Sequence, residues 1–129
     1  MLDGQHVRHN QALFDHRALF IDYRPAGCFQ VAENTAAQHK GLSGQTSPLP
    51  LVFNFGPGGT TPTFWMRNTP IGIVITWVAV DGHVLGQDAM APESLTLHRP
   101  PQPVTLAVEW PVGQVPAESW TTMALGAKC

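Results

Sequence analysis

Phe64-Trp-Met-Arg-Asn-Thr69 is the segment of this chain whose residue types and spacing come closest to a site. In a strand, alternation places Trp65, Arg67 and Thr69 on one face and Phe64, Met66 and Asn68 on the other. An indole offers flat apolar area with one donor, and a guanidinium beside it can grip a carboxylate or phosphate in two places. Trp65, Arg67 and Asn68 are therefore candidate ligand-binding residues. The plainer reading puts Trp65 in the core, Arg67 in a surface ion pair and Asn68-Thr69-Pro70 in a turn.

Two carboxylates join this set. Asp81 precedes Gly82 in a hairpin-like segment, which by itself accounts for the aspartate. Glu109 stands between Val108 and Trp110 in an otherwise apolar run, so it is exposed, paired, or raised in pKa by burial; the exposed face is the favoured expectation. If Asp81 and Glu109 converged, with His83 nearby, acid and base work by a hydrolase or lyase would follow, yet nothing in the sequence brings them together.

Other chemistries find little support. There is no Gly-x-Ser-x-Gly elbow and no serine with a histidine placed to activate it, so no catalytic residue is assigned. His6, His9 and His16 lack the tight spacing of a metal site, and neither a metal nor a cofactor is expected. Gly56-Pro-Gly-Gly-Thr60 lacks the Gly-Lys-Thr of a phosphate loop and reads as a connecting turn.

These residues need strands to hold them, and the composition favours strands. Twelve prolines and twelve glycines in 129 residues promote turns over long helices. Hydrophobic residues make up 43% and charged residues 12%, enough for one packed core. A net charge of -2 without a basic run gives no footprint for nucleic acid. No stretch is apolar for the length of a bilayer, and the N-terminus does not read as a signal, so a cytoplasmic location is expected, with a periplasmic or secreted one as the alternative if a signal was removed. Cys28 and Cys129 have neither metal spacing nor scaffold density; Cys28 reads as a small buried hydrophobe and Cys129 as a free thiol, a bridge between them being the alternative.

Along the chain, residues 1–27 read as an N-terminal extension. Within it, Leu13, Phe14, Arg17, Phe20 and Ile21 fit a helical face while Ala18 to Ile21 fits a strand equally well, and Arg24-Pro-Ala-Gly27 forms a turn. A single β-rich domain spans 28–129, opening with a strand over Cys28 to Ala32. Asn34 caps one short helix near residues 34–41, closed by Gly41 or Gly44. Leu49 to Phe55 alternates as a half-buried strand, its Pro50 marking an edge or a strand start. Thr63 to Arg67 is a further strand. Ile71 to Val80, apolar on both faces, is a strand covered on both sides, and Asp81-Gly82 turns it back in type I′ geometry. After the proline-rich stretch His98 to Pro103 comes a last strand. It sets Val104, Leu106, Val108 and Trp110 on one face and Thr105, Ala107 and Glu109 on the other. Trp120 and Thr121 to Leu125 dock as a final piece.

The cluster Phe64-Trp-Met-Arg-Asn-Thr69, the apolar strand after it, Asp81-Gly82, Ala89-Met-Ala-Pro92 and Val108-Glu-Trp-Pro-Val-Gly113 resemble, in order and spacing, the bacterial and archaeal family of domain of unknown function 192. The resemblance covers about Cys28 to Gly113. Where that family continues its Gly-Leu with a Met, an aromatic residue and an Arg, this chain has Gly41-Leu-Ser-Gly-Gln45, so that Arg has no counterpart. The resemblance implies a compact, mostly antiparallel sheet or barrel-like domain with one short helix, and it implies no reaction.

Three functions fit these residues. The leading one is a non-enzymatic binding module that takes a small polar ligand or a partner protein's segment on Trp65, Arg67 and Asn68, with Asp81 and Glu109 as further ligand-binding candidates. The others are a hydrolase or lyase using Asp81 and Glu109, and a subunit that pairs through an edge strand.

Overall fold

The computed structural model describes residues 2, 13–116 and 120–129. Among them it has seven strands and one helix: β1 (Asp15–Ile21), β2 (Arg24–Ala32), α1 (Thr35–Lys40), β3 (Leu51–Asn54), β4 (Ile73–Ala79), β5 (Val84–Met90), β6 (Val104–Pro111) and β7 (Met123–Lys128). The strands form one sheet in the order β5-β4-β6-β3-β2-β1-β7. Every pairing is antiparallel except β2 with β3. A parallel pair needs a crossover, and α1 lies in that connection.

Local chemistry explains α1. Asn34 is extended and its side chain accepts a 2.9 Å hydrogen bond from the Ala37 amide, satisfying a donor the first turn leaves open. At the other end Gly41 has a positive φ and donates to the Ala37 carbonyl, a conformation cheap only for glycine.

The sheet separates two apolar clusters. One face packs Phe53, Phe64, Met66, Ile75 and Trp77 under Ala37 of the helix and Leu42. The other brings together Leu19, Val31, Val52, Val78, Leu106 and Met123, one from each of six strands, so the sheet curls around them. Its two edges approach at one end, where His83 bridges Thr122 and the Val84 amide donates to the Thr121 carbonyl. This isolated contact does not close the sheet, which is open and mixed rather than a barrel.

Several expectations meet a different local answer. Residues 15–27 are not outside the sheet: β1 and β2 pair along their length, and Cys28 falls within β2. The turn lies at Asp22-Tyr23, both at positive φ, instead of Arg24 to Gly27. That conformation is strained for residues other than glycine, and Asp22 offsets it by accepting hydrogen bonds of 2.8 Å from the amides of Thr121 and Thr122. The Asp81-Gly82 hairpin exists but is not type I′. Only Gly82 has positive φ, and the Gly82 amide bonds the Ala79 carbonyl while Ala79 and His83 pair, which is a type I turn followed by a glycine bulge.

β3 is a central strand with both faces covered, Leu51, Val52 and Phe53 all being fully buried, and Pro50 immediately precedes it. A register shift in β6 opposite Val78 and Ala79 moves Val104 to the Phe53 side, away from Leu106, Val108 and Trp110. Thr63 to Arg67 is not a strand; Phe64 alone bridges His98 and Leu2. Cys28 and Cys129 are joined by a disulfide and both are exposed, so Cys28 is not a buried hydrophobe and Cys129 not a free thiol. No helix among the described residues is long and apolar enough to cross a membrane.

Candidate functional site

The outward face of the segment 64–67 is built by its backbone pairing. Phe64 and His98 exchange hydrogen bonds of 2.9 and 2.8 Å, and the Met66 amide donates to the Ser94 carbonyl. Phe64 and Met66 point inward and are fully buried. Trp65, half-buried, points outward opposite Leu97, because residues flanking a paired position share the other face. Arg67 lies over the Trp65 ring with its guanidinium carbon 5.6 Å from the centroid, within cation–π range. It forms no ion pair among the described residues. Leu95 and Leu97, on the paired segment, are 63% and 50% exposed.

Alternation fails after Arg67. A turn at Arg67 and Asn68, with Asn68 at φ 57°, sends Thr69 inward and leaves Asn68 exposed. The Asn68 carbonyl accepts from the Gly44 amide at 2.7 Å. Trp65 and Arg67 thus share a face as expected, Thr69 leaves it, and Asn68 sits at its margin.

Asp81 is elsewhere, exposed in the β4–β5 turn. Its Oδ1 accepts from the His83 amide at 3.0 Å and its Oδ2 lies 3.1 Å from the His83 ring. These contacts, the amide bond foremost, hold its pKa below the ordinary aspartate value.

Glu109 overturns the exposed-face expectation: it is fully buried. In the sheet it is flanked by Leu51 on β3 and Ile75 on β4, and neither carboxyl oxygen has a hydrogen-bond partner among the described residues. Loss of water is the dominant influence, pushing its pKa up to about 8, so the side chain is mostly protonated at neutral pH. Asp81 and Glu109 do not converge. Ile75, the partner of Glu109, and Ala79, where the turn begins, are about 13 Å apart along β4, beyond the reach of a cooperating carboxyl pair.

A polar network went unnoticed in the sequence. Glu33 Oε1 accepts from Arg17 Nη1 at 2.6 Å and from Asn54 Nδ2 at 3.0 Å. The Asn54 bond is the chief reason the Glu33 pKa is lowered, with Arg17 adding to it against partial burial. Arg17 Nε also donates to the Gly126 carbonyl at 2.9 Å. Arg17, Asn54 and Thr105 line a groove of about 380 Å³, with Asp81 at its turn end and Leu106, Met123 and Leu125 among its apolar residues. The available signal was a polar residue inside one apolar run, Asn54 between Phe53 and Phe55, and a charged one at the start of another, Arg17 before Ala18-Leu-Phe-Ile21. His16 is exposed on β1; His6 and His9 lie outside the described residues.

The family model for domain of unknown function 192, described as Uncharacterized ACR, matches residues 22–120. The chain belongs to this family. The match includes Trp65, Arg67 and Glu109 and begins before Cys28, within the β1–β2 hairpin. Among solved structures, a protein of unknown function from Novosphingobium aromaticivorans is similar, with a TM-score of 0.69 and 22% identity over 92% of this chain and 91% of that one. A candidate transcription regulator from Sinorhizobium meliloti is also similar, with a TM-score of 0.68 and 17% identity over 95% of this chain and 98% of that one. At these identities the likeness shows the fold alone. No curated protein matches the chain.

Proposed function

We propose that this family member is a non-enzymatic binding domain that takes a segment of a partner protein on the face of Trp65, Arg67, Leu95 and Leu97. The observation that carries this reading is Arg67: it stacks on Trp65, has no acidic partner among the described residues, and belongs to a segment hydrogen-bonded to residues 94–98, whose Leu95 and Leu97 are left half or more exposed. Apolar area next to an uncompensated, oriented guanidinium complements a partner that presents a carboxylate flanked by aliphatic side chains. Asn68, at the margin, offers its amide to the same segment. The separation of Asp81 from Glu109 supports binding over hydrolysis. The exposed Cys28–Cys129 disulfide favours a periplasmic or secreted setting over the cytoplasm.

The test is titration of the protein with acetyl-Ala-Leu-Glu-Leu-Ala-amide and with the same peptide carrying Gln for Glu. The Glu peptide binds about tenfold more tightly than the Gln peptide, and Arg67→Ala or Trp65→Ala removes that preference. Equal affinities for the two peptides in the wild type defeat the proposal.

A further inference from the structure

The groove between β1, β3, β6 and β7 is separate from the Trp65 face, and it has charges of opposite sign at different parts of its lining. Arg17 is held in place by two of its nitrogens, one on Glu33 and one on the Gly126 carbonyl, which leaves Nη2 without a partner among the described residues. Asp81 is fixed by the hydrogen bond from the His83 amide to Oδ1 and by the His83 ring 3.1 Å from Oδ2, and its carboxylate stays largely exposed. The accessible apolar part of the lining comes from Pro57, Val80 and Leu125, Val80 being half-exposed. Asn54 and Thr105 supply amide and hydroxyl groups to the same lining.

A cation and an anion held apart by aliphatic surface and neutral polar groups match a ligand with its own two charges apart and apolar groups between. We infer that the groove binds a short apolar peptide with free ends, its carboxylate on Arg17 Nη2, its ammonium on Asp81, and its side chains on Pro57, Val80 and Leu125. The volume of about 380 Å³ falls at the small end of ligand sites, which suits a di- or tripeptide. Both charges of the ligand are needed. Arg17 is already balanced by Glu33, so an anion alone gains little, and Asp81 at the turn disfavours one.

The test uses Leu-Leu, acetyl-Leu-Leu and Leu-Leu-amide, followed by amide chemical-shift changes in the full chain. Leu-Leu shifts the resonances of Arg17, Thr105, Leu106 and Leu125, and blocking either end weakens binding about tenfold. Asp81→Asn, which keeps the acceptor for the His83 amide, weakens Leu-Leu but not acetyl-Leu-Leu. The inference is overturned if acetyl-Leu-Leu binds as well as Leu-Leu, if the shifts fall outside the groove, or if no shift is seen at peptide concentrations on the order of 10 mM. Loss of binding here leaves the Trp65 face untouched, because the two sites report on different resonances.

Discussion

Glu109 couples the stability of the fold to pH between about 5 and 8 from a single buried position. Loss of water raises its folded pKa to about 8 from the ordinary 4.5 of a solvated glutamate. Below about pH 4.5 the carboxyl is neutral in folded and unfolded chains alike, and its burial carries no ionisation penalty. Between that value and about 8 the unfolded chain ionises while the folded one stays neutral, so stability falls as pH rises. By pH 7 the loss is about 3 kcal/mol. Glu109→Leu, which keeps the volume and removes the titration, should raise the melting temperature at pH 7.5 and flatten its fall between pH 5 and 8; a variant that melts below the wild type at pH 7.5 would show that the carboxyl has a stabilising partner. The sequence states the three alternatives for Glu109, and the one it favours, an exposed face, is not the one the fold adopts. Alternation gives the face a residue occupies, not whether that face is covered, and here the covering residues come from Leu42, Phe64 and Met66, far away in sequence.

At the scale of elements, β7 is the least secured strand. It pairs only with β1, with a register slip between Arg17 and Leu19, and most of its residues are partly or fully exposed. Its end is tied back by the Cys129 amide on the His16 carbonyl and by the disulfide to Cys28 across 101 residues of sequence. Gly126 lets it lie against β1, since a Cβ there would come within 2.6 Å of the Phe20 ring. Replacing both cysteines with serine is expected to cost about 2–5 kcal/mol in unfolding free energy and to speed amide exchange first in Met123–Lys128; exchange that rises equally in β4 and β6 would contradict a local role. Elements with local signals were legible: the Asn34 cap, the doubly covered β4 and the β4–β5 hairpin. β1, β7 and the Cys28–Cys129 disulfide were not: Ala18-Leu-Phe-Ile21 fits a helical face as well as a strand until the Asp22-Tyr23 turn folds it onto β2, and β7 becomes a strand on the β1 edge, far away in sequence.

For the whole molecule, the curled open sheet has two consequences for function. Apolar side chains fill the clusters on its two faces, and among the described residues the one unpartnered buried carboxyl, that of Glu109, is shut off from water, so polar contact with other molecules falls to the surface. There the Trp65–Arg67 pair stands out, positioned by the pairing of 64–66 with 94–98 on top of the Phe53 and Trp77 core. The segment was readable as a candidate because Trp and Arg stood two apart. Leu95 and Leu97 were not, since only the pairing with Phe64 and Met66 brings them alongside. The most direct measurement of binding on this face is an amide chemical-shift map of the full chain with acetyl-Ala-Leu-Glu-Leu-Ala-amide. Changes centred on Trp65, Arg67, Leu95 and Leu97 that vanish in Arg67→Ala are expected; a map centred elsewhere, or one that Arg67→Ala leaves intact, would contradict the Trp65–Arg67 site.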